Sequence, residues 1–155
     1  MTQTDRVRGM GDFLVEVHTW LRKELAEILA QVDAVAEGRA DVTIERLSAD
    51  LRAHCLSFCG ALTKHHTGED MGAFPMLAGQ FPEMAPALKK LGEEHKVVSA
   101  LQKEIQRLVD SHVPGESDVL ELRANLGELA AKLEAHFDYE ERTVVTALNT
   151  TPAPY

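Results

Sequence analysis

The sequence predicts an all-α protein, an up-down-up-down four-helix bundle. Three observations predict it. Four long segments repeat apolar residues every three or four positions, which places them on one face of a helix. No segment alternates apolar and polar residues as a half-buried strand does. All connections but one are short and polar, and amphipathic helices joined this way pack as antiparallel neighbours.

The first helix is expected over about 12–37, with a seam of Leu14, His18, Leu21, Leu25, Ile28, Val32 and Val35, and Gly38 as its stop. The second is expected over about 41–70. Asp41 is its N-cap, and Ile44, Leu47, Leu51, His54, Phe58, Leu62, His65 and Glu69 form its seam. Residues 71–86 hold Pro75, Pro82 and Pro86 with Gly72 and Gly79, and read as the one substantial loop. Met71, Phe74, Met76, Leu77 and Phe81 make that loop apolar, which suits a cap over one end of the bundle better than a partner contact. The third helix, about 86–111, carries Leu88, Leu91, His95, Val98, Leu101, Ile105 and Leu108. Pro114-Gly115 is a turn, and the fourth helix follows over about 116–148 with Val119, Leu122, Leu126, Leu129, Leu133, His136, Glu140 and Val144. Residues 149–155 read as a flexible tail, so residues 1–155 are expected to form a single domain.

Composition narrows the function. A formal charge of −9, from 25 acids against 16 Lys and Arg, offers no basic patch for nucleic acid. No apolar run approaches the ~20 residues that cross a bilayer, so no membrane role is expected. The polar start, Met1 to Gly11, lacks the apolar core of a secretory signal. Cys55 and Cys59 give no disulfide framework, which fits a reducing cytoplasm. Four residues apart on a helix, they read as core thiols, with a redox pair as the alternative. No exposed stripe marks an interface, leaving monomer or homodimer open.

The chemistry lies where the seams are interrupted. His18, His54, His65, Glu69, His95, His136 and Glu140 all fall among Leu, Val, Ile and Phe. Burying a carboxylate without a partner costs several kcal/mol. Two carboxylates among imidazoles therefore ask for a cation. His65/Glu69 and His136/Glu140 are each an i, i+4 pair, one turn apart on one face, so both members can reach the same ion. His18 and His95 lie early in odd-numbered helices, and the two pairs lie late in even-numbered ones. In an antiparallel bundle these are the same end, so all six groups converge at one level. His54 shares the inward face but sits eleven residues before His65, about 16 Å down the axis, and reads as an outer neighbour of the site, a buried histidine bonded to a nearby residue or lining an access path. His66 points one residue off the seam and reads as an outer neighbour of the site or a surface group. Asp70 and Glu141 follow the two glutamates and either orient ligand imidazoles from behind or stay solvated.

Nitrogen and oxygen donors without thiolates disfavour copper(I) and iron–sulfur clusters and suit paired iron. The order is His then Glu at i, i+4, unlike the Glu-x-x-His of ferritin-like bundles. The series His18, His65-x-x-x-Glu69, His95, His136-x-x-x-Glu140 resembles the hemerythrin-like, or HHE cation-binding, family over roughly residues 12–148. The stretches His65-His66-Thr67-Gly68-Glu69-Asp70 through Phe74-Pro75, and His18-Thr19-Trp20-Leu21-Arg22-Lys23-Glu24-Leu25, are similar to actinobacterial and mycobacterial members. The resemblance implies a four-helix bundle around two iron ions, an oxo- or hydroxo-bridged non-haem di-iron centre. His18, His65, His95 and His136 match its terminal ligands, and Glu69 and Glu140 its bridging carboxylates. Ser99 stands where the oxygen carriers have a second histidine on the third helix, and the fourth helix closes on Glu140 in place of the carriers' His-x-x-x-x-Asp.

Roughly twelve coordination positions on two irons, less four imidazoles, two bridging carboxylates and an oxygen bridge, leave about two open. That count favours a reactive centre over a dedicated oxygen store. The resemblance then implies reaction with hydrogen peroxide or O2, with catalase-like breakdown of peroxide in oxidative defence as the first reading. Reversible O2 or NO binding, or iron and redox sensing, is the alternative.

Overall fold

The computed structural model describes residues 3–37, 49–110 and 119–150. Helix α1 spans Gln3–Ala36 and α2 spans Ala49–Gly68. A π-helical turn, Glu69–Ala73, leads directly into α3, Phe74–Gln80. A 3-10 turn, Pro82–Met84, joins this to α4, Ala85–Val109, and α5 covers Val119–Thr150. Helix α1 packs on α2 and α5, and α4 packs on the same two. No strand is present among the described residues. The all-α bundle expected from the periodicity is the fold. The expected Gly38 stop, the Asp41 cap, the seam residues Ile44 and Leu47, the Pro114-Gly115 turn and residues 151–155 lie outside the described residues.

The stretch read as a loop over 71–86 is instead mostly helical. Its prolines sit where helices tolerate them: Pro82 and Pro86 occupy the first two positions of their segments, where no backbone N–H is required, and Pro75 lies just past the π turn. The π turn carries the chain across Pro75. A proline ring clashes with the carbonyl four residues earlier in a regular helix, and the wider turn relieves that crowding. The Phe74 N–H accordingly reaches back five residues to the Glu69 carbonyl. The break comes only at Phe81, where φ is −130° and ψ is 76°.

At the other end of the chain, Asn149 and Thr150 belong to α5 and are not part of a tail. The Asn149 side chain accepts a hydrogen bond from the Gly11 backbone N–H at 2.8 Å. A Cβ at residue 11 would run into that same side chain and the Val145 carbonyl, so glycine lets α1 and α5 touch there.

The core is split in two. One apolar cluster runs through Leu21, Leu25, Ile28, Leu62, Val98, Ile105, Leu126, Leu133 and Phe137. The other gathers Leu14, Phe74, Leu77, Leu88, Leu91, Val144 and Leu148 at the opposite end. On α1 the boundary falls between Leu14 and Leu21, and on α4 between Leu91 and Val98. His18 and His95 occupy those gaps. A buried polar layer therefore separates two apolar ones. Phe74 and Leu77 close the upper layer as the sequence suggests, while Met71 stays 80% exposed.

Candidate metal centre

Every helix of the bundle sends a polar side chain into that layer. His18 of α1, His66 of α2, Glu69 of the π turn, His95 of α4, and His136 and Glu140 of α5 are all buried. His65 is 13% exposed. The ligand atoms fall into two groups, His66, Glu69, His95 and His136 on one side, and His18, His65, Glu69 and Glu140 on the other. Within each group the atoms lie within 4.8 Å of one another.

The two glutamates face both ways. Glu69 directs Oε1 to His95 Nε2 at 3.2 Å and Oε2 to His65 Nε2 at 3.5 Å. Glu140 directs Oε1 to His18 Nε2 at 3.4 Å and Oε2 to His136 Nε2 at 3.2 Å. Each carboxylate thus divides its oxygens between two imidazole sets, as a bridge between two cations would.

Behind the layer stands a second set of carboxylates. The Nδ1–H groups of His18, His95 and His136 donate to Glu141, Asp70 and Glu94, each at 2.8 Å. An imidazole that gives its Nδ1 proton outward presents a bare lone pair at Nε2. The interior is then filled with acceptors that have no donor. His18 Nε2 and His65 Nε2 lie 3.2 Å apart, and His66 Nε2, Glu69 Oε1, His95 Nε2, His136 Nε2 and both Glu140 oxygens are buried without a hydrogen-bond partner.

Without a cation the layer must trap a proton. Burial, reinforced by Glu140, pushes the Glu69 carboxyl up to about 12. Burial works in the same direction on Glu140, but its neighbours Glu69, His136 and His18 outweigh it and hold Glu140 well below the usual carboxylate range. Burial lowers His65 to about 4 and His66 to about 2, which keeps both imidazoles neutral and able to bind a metal. A converging set of orphaned nitrogen and oxygen acceptors fits a metal ion.

The model of one protein family, the hemerythrin HHE cation binding domain, matches residues 10–148. The chain belongs to that family. No curated protein and no solved structure gives a match. This hemerythrin HHE domain is therefore a cation-binding module, and its two His/Glu groups fit a metal site.

The structure draws His18, His65, Glu69, His95, His136 and Glu140 to one level, and adds His66, which the sequence places off the seam. The difference is geometric. Neighbouring helical residues point about 100° apart, and α2 lies between α1 and α4. His65 therefore turns toward His18, with ring centres 5.1 Å apart, while His66 stacks on His95 at 3.9 Å. Ser99 lines a polar cleft of about 390 Å³ beside His66 and His95.

His54 does not join this HHE centre. It is 29% exposed and pairs through Nε2 with Glu24 at 3.0 Å, so it neither touches the two groups nor supports them from behind. Asp70 and Glu141, left open in the sequence between outer partners and solvated acids, contact His95 and His18. Glu94 is the residue that sequence reasoning misses. Next to Glu93 it looks like one more surface acid; its one signal is adjacency to His95, matching Asp70 beside Glu69 and Glu141 beside Glu140.

Proposed function

We propose that this chain holds a pair of iron ions and reacts with hydrogen peroxide or O2, with catalase-like breakdown of peroxide as the reaction. The observation that carries the reading is the division of Glu69 and Glu140 between two histidine sets. His66, His95 and His136 would hold one ion, His18 and His65 the other, and the two glutamates would bridge them.

When bound, the iron pair supplies redox cycling and Lewis acidity toward the oxidant. The chain's residues do the rest. Glu141, Asp70 and Glu94 hold the tautomers of His18, His95 and His136 so that Nε2 faces inward. The apolar clusters above and below keep water from those two sides of the layer. The polar cleft beside His66 and His95, lined by Thr63, Thr67 and Ser99, suits a water-like molecule such as peroxide.

His66 revises the count of open positions. Five imidazoles, four carboxylate oxygens and a shared solvent oxygen leave about one position of roughly twelve, one fewer than the sequence suggests. A second reading, reversible O2 or NO binding or sensing, draws support from that count. It also draws support from an apolar cavity of about 220 Å³ against His65 and Glu69, lined by Leu14, Val17, Phe74 and Val144.

Elemental analysis and a peroxide-driven O2-evolution assay test the proposal together. The expected result is about two irons per chain and O2 release that disappears, with the iron, in Glu69→Ala. O2 release that persists in iron-free protein would refute it. A stable O2 adduct that gives back unchanged gas selects the second reading.

A further inference from the structure

The three outer carboxylates differ in what they touch. Asp70, behind His95, is 43% exposed and pairs with no Lys or Arg among the described residues. Glu94 binds His136 through Oε1 and meets Lys90 through Oε2 at 3.5 Å. Glu141 is different, because a single oxygen serves two donors. Its Oε2 accepts from His18 Nδ1 at 2.8 Å and from the Arg22 guanidinium at 2.9 Å.

Arg22 is fixed in that position. Its Nε donates to Glu134 at 2.9 Å, and its guanidinium carbon lies 5.2 Å from the centre of the Phe137 ring. Phe137 in turn stacks on His18, with ring centres 4.0 Å apart and planes 17° from parallel. Arg22, Glu141, His18 and Phe137 thus form a closed loop around one candidate ligand. No other ligand histidine carries such a loop among the described residues.

A carboxylate oxygen already engaged by a guanidinium is a weaker acceptor for an imidazole N–H. The Nδ1–H of His18 is therefore held by a shared oxygen and that of His95 by an unshared one, which makes His18 the less electron-rich ligand of the two. A more basic ligand favours the more highly charged ion.

We propose that Arg22 is a positioning residue that sets the electronic character of the ion on the His18 side, acting through Glu141. The inference rests on the reading that this chain holds two irons. Its consequence is a reduction potential higher than the ligands alone would give.

The test is a redox titration of iron-loaded Arg22→Met, followed by visible absorption, with iron per chain measured on every sample. Arg123→Met, which removes the same charge from an exposed pair with Asp33, is the comparison. Arg22→Met is expected to lower the midpoint potential with both irons still bound, because Glu141 stays in place behind His18. Arg123→Met is expected to leave the potential where it is, and Arg22→Lys, which keeps the charge, to recover most of the potential. If Arg22→Met does not fold, Arg22→Gln carries the same readout. A wild-type chain without iron would overturn the metal reading itself. Two irons with a potential unmoved or raised in Arg22→Met or Arg22→Gln would overturn the role of Arg22 alone.

Discussion

Replacing His66 by Leu is expected to stabilise the metal-free protein while weakening its hold on metal. The first half follows from the state of the side chain. His66 Nε2 is buried and has no partner, and leaving such a group unsatisfied costs about 1–3 kcal/mol. Leucine removes the unsatisfied atom and keeps an apolar body beside His95 and His136. For a chain of this size each kcal/mol moves the melting temperature by about 2–4 °C, so a rise of about 2–12 °C is expected in the metal-free form. The second half follows from the ligand count, since one group falls from three imidazoles to two. Ligand binding stabilises a fold by about 4 kcal/mol at a thousand times Kd, and that increment shrinks as Kd rises. The assay is a pair of thermal melts, with chelator and with excess ferrous iron, together with iron per chain. Crossing of the two variants, with Leu higher without metal and lower with it, is the expected result. A His66→Leu protein that melts lower without metal and keeps all its iron would show that His66 is an ordinary packed core histidine.

Other perturbations test the surrounding structure. Burial pushes the thiols of Cys55 and Cys59 up to about 11 and about 12, so the reactive thiolate is scarce at pH 8. Neither is expected to react with a thiol reagent until the chain is unfolded, when both do. Rapid labelling of the native protein would instead mark them as a redox pair. Gly11→Ala presses α1 onto Asn149 and the Val145 carbonyl, and a loss of about 1–3 kcal/mol is expected by denaturant titration. Leu77→Ala opens a fully buried site above the polar layer; a loss of about 2–5 kcal/mol is expected, with faster release of iron to a chelator. Unchanged release would place the cap outside the path the metal takes.

What the sequence reveals about this site depends on contrast. His18, His95 and His136 stand out because each interrupts a run of leucines and valines, and the antiparallel topology then puts them at one height. His66 has no such contrast. A seam treated as one narrow stripe accepts His65 and rejects its neighbour. That stripe widens where a helix serves two partners, since α2 faces α1 with one residue and α4 with the next. The helical character of 74–80 is hidden for a related reason. Pro75, Gly72 and Gly79 are local breakers by residue type, and only their position in the turn shows that they do no harm there. Glu94 is hidden because an acid on a half-exposed face looks the same whether or not an imidazole lies across the groove.

The two halves of the layer repeat one device. On the α2 side, consecutive residues Glu69 and Asp70 take both nitrogens of His95 on the neighbouring helix. On α5, Glu140 and Glu141 take both nitrogens of His18 in the same way. The α5 pair does this from a regular helix, so the π turn is not what makes the grip possible. The π turn instead lets the helix pass Pro75 and deliver Phe74 and Leu77 to the upper cluster. The grip needs only two adjacent acids at the end of a His-x-x-x-acid pair, the first facing the interior and the second facing outward. Each such dipeptide orients a ligand it does not carry, so the centre cannot form until the neighbouring helices have packed. Where the halves differ, with His66 added on one side and Arg22 sharing Glu141 on the other, two otherwise equivalent cation positions become unequal.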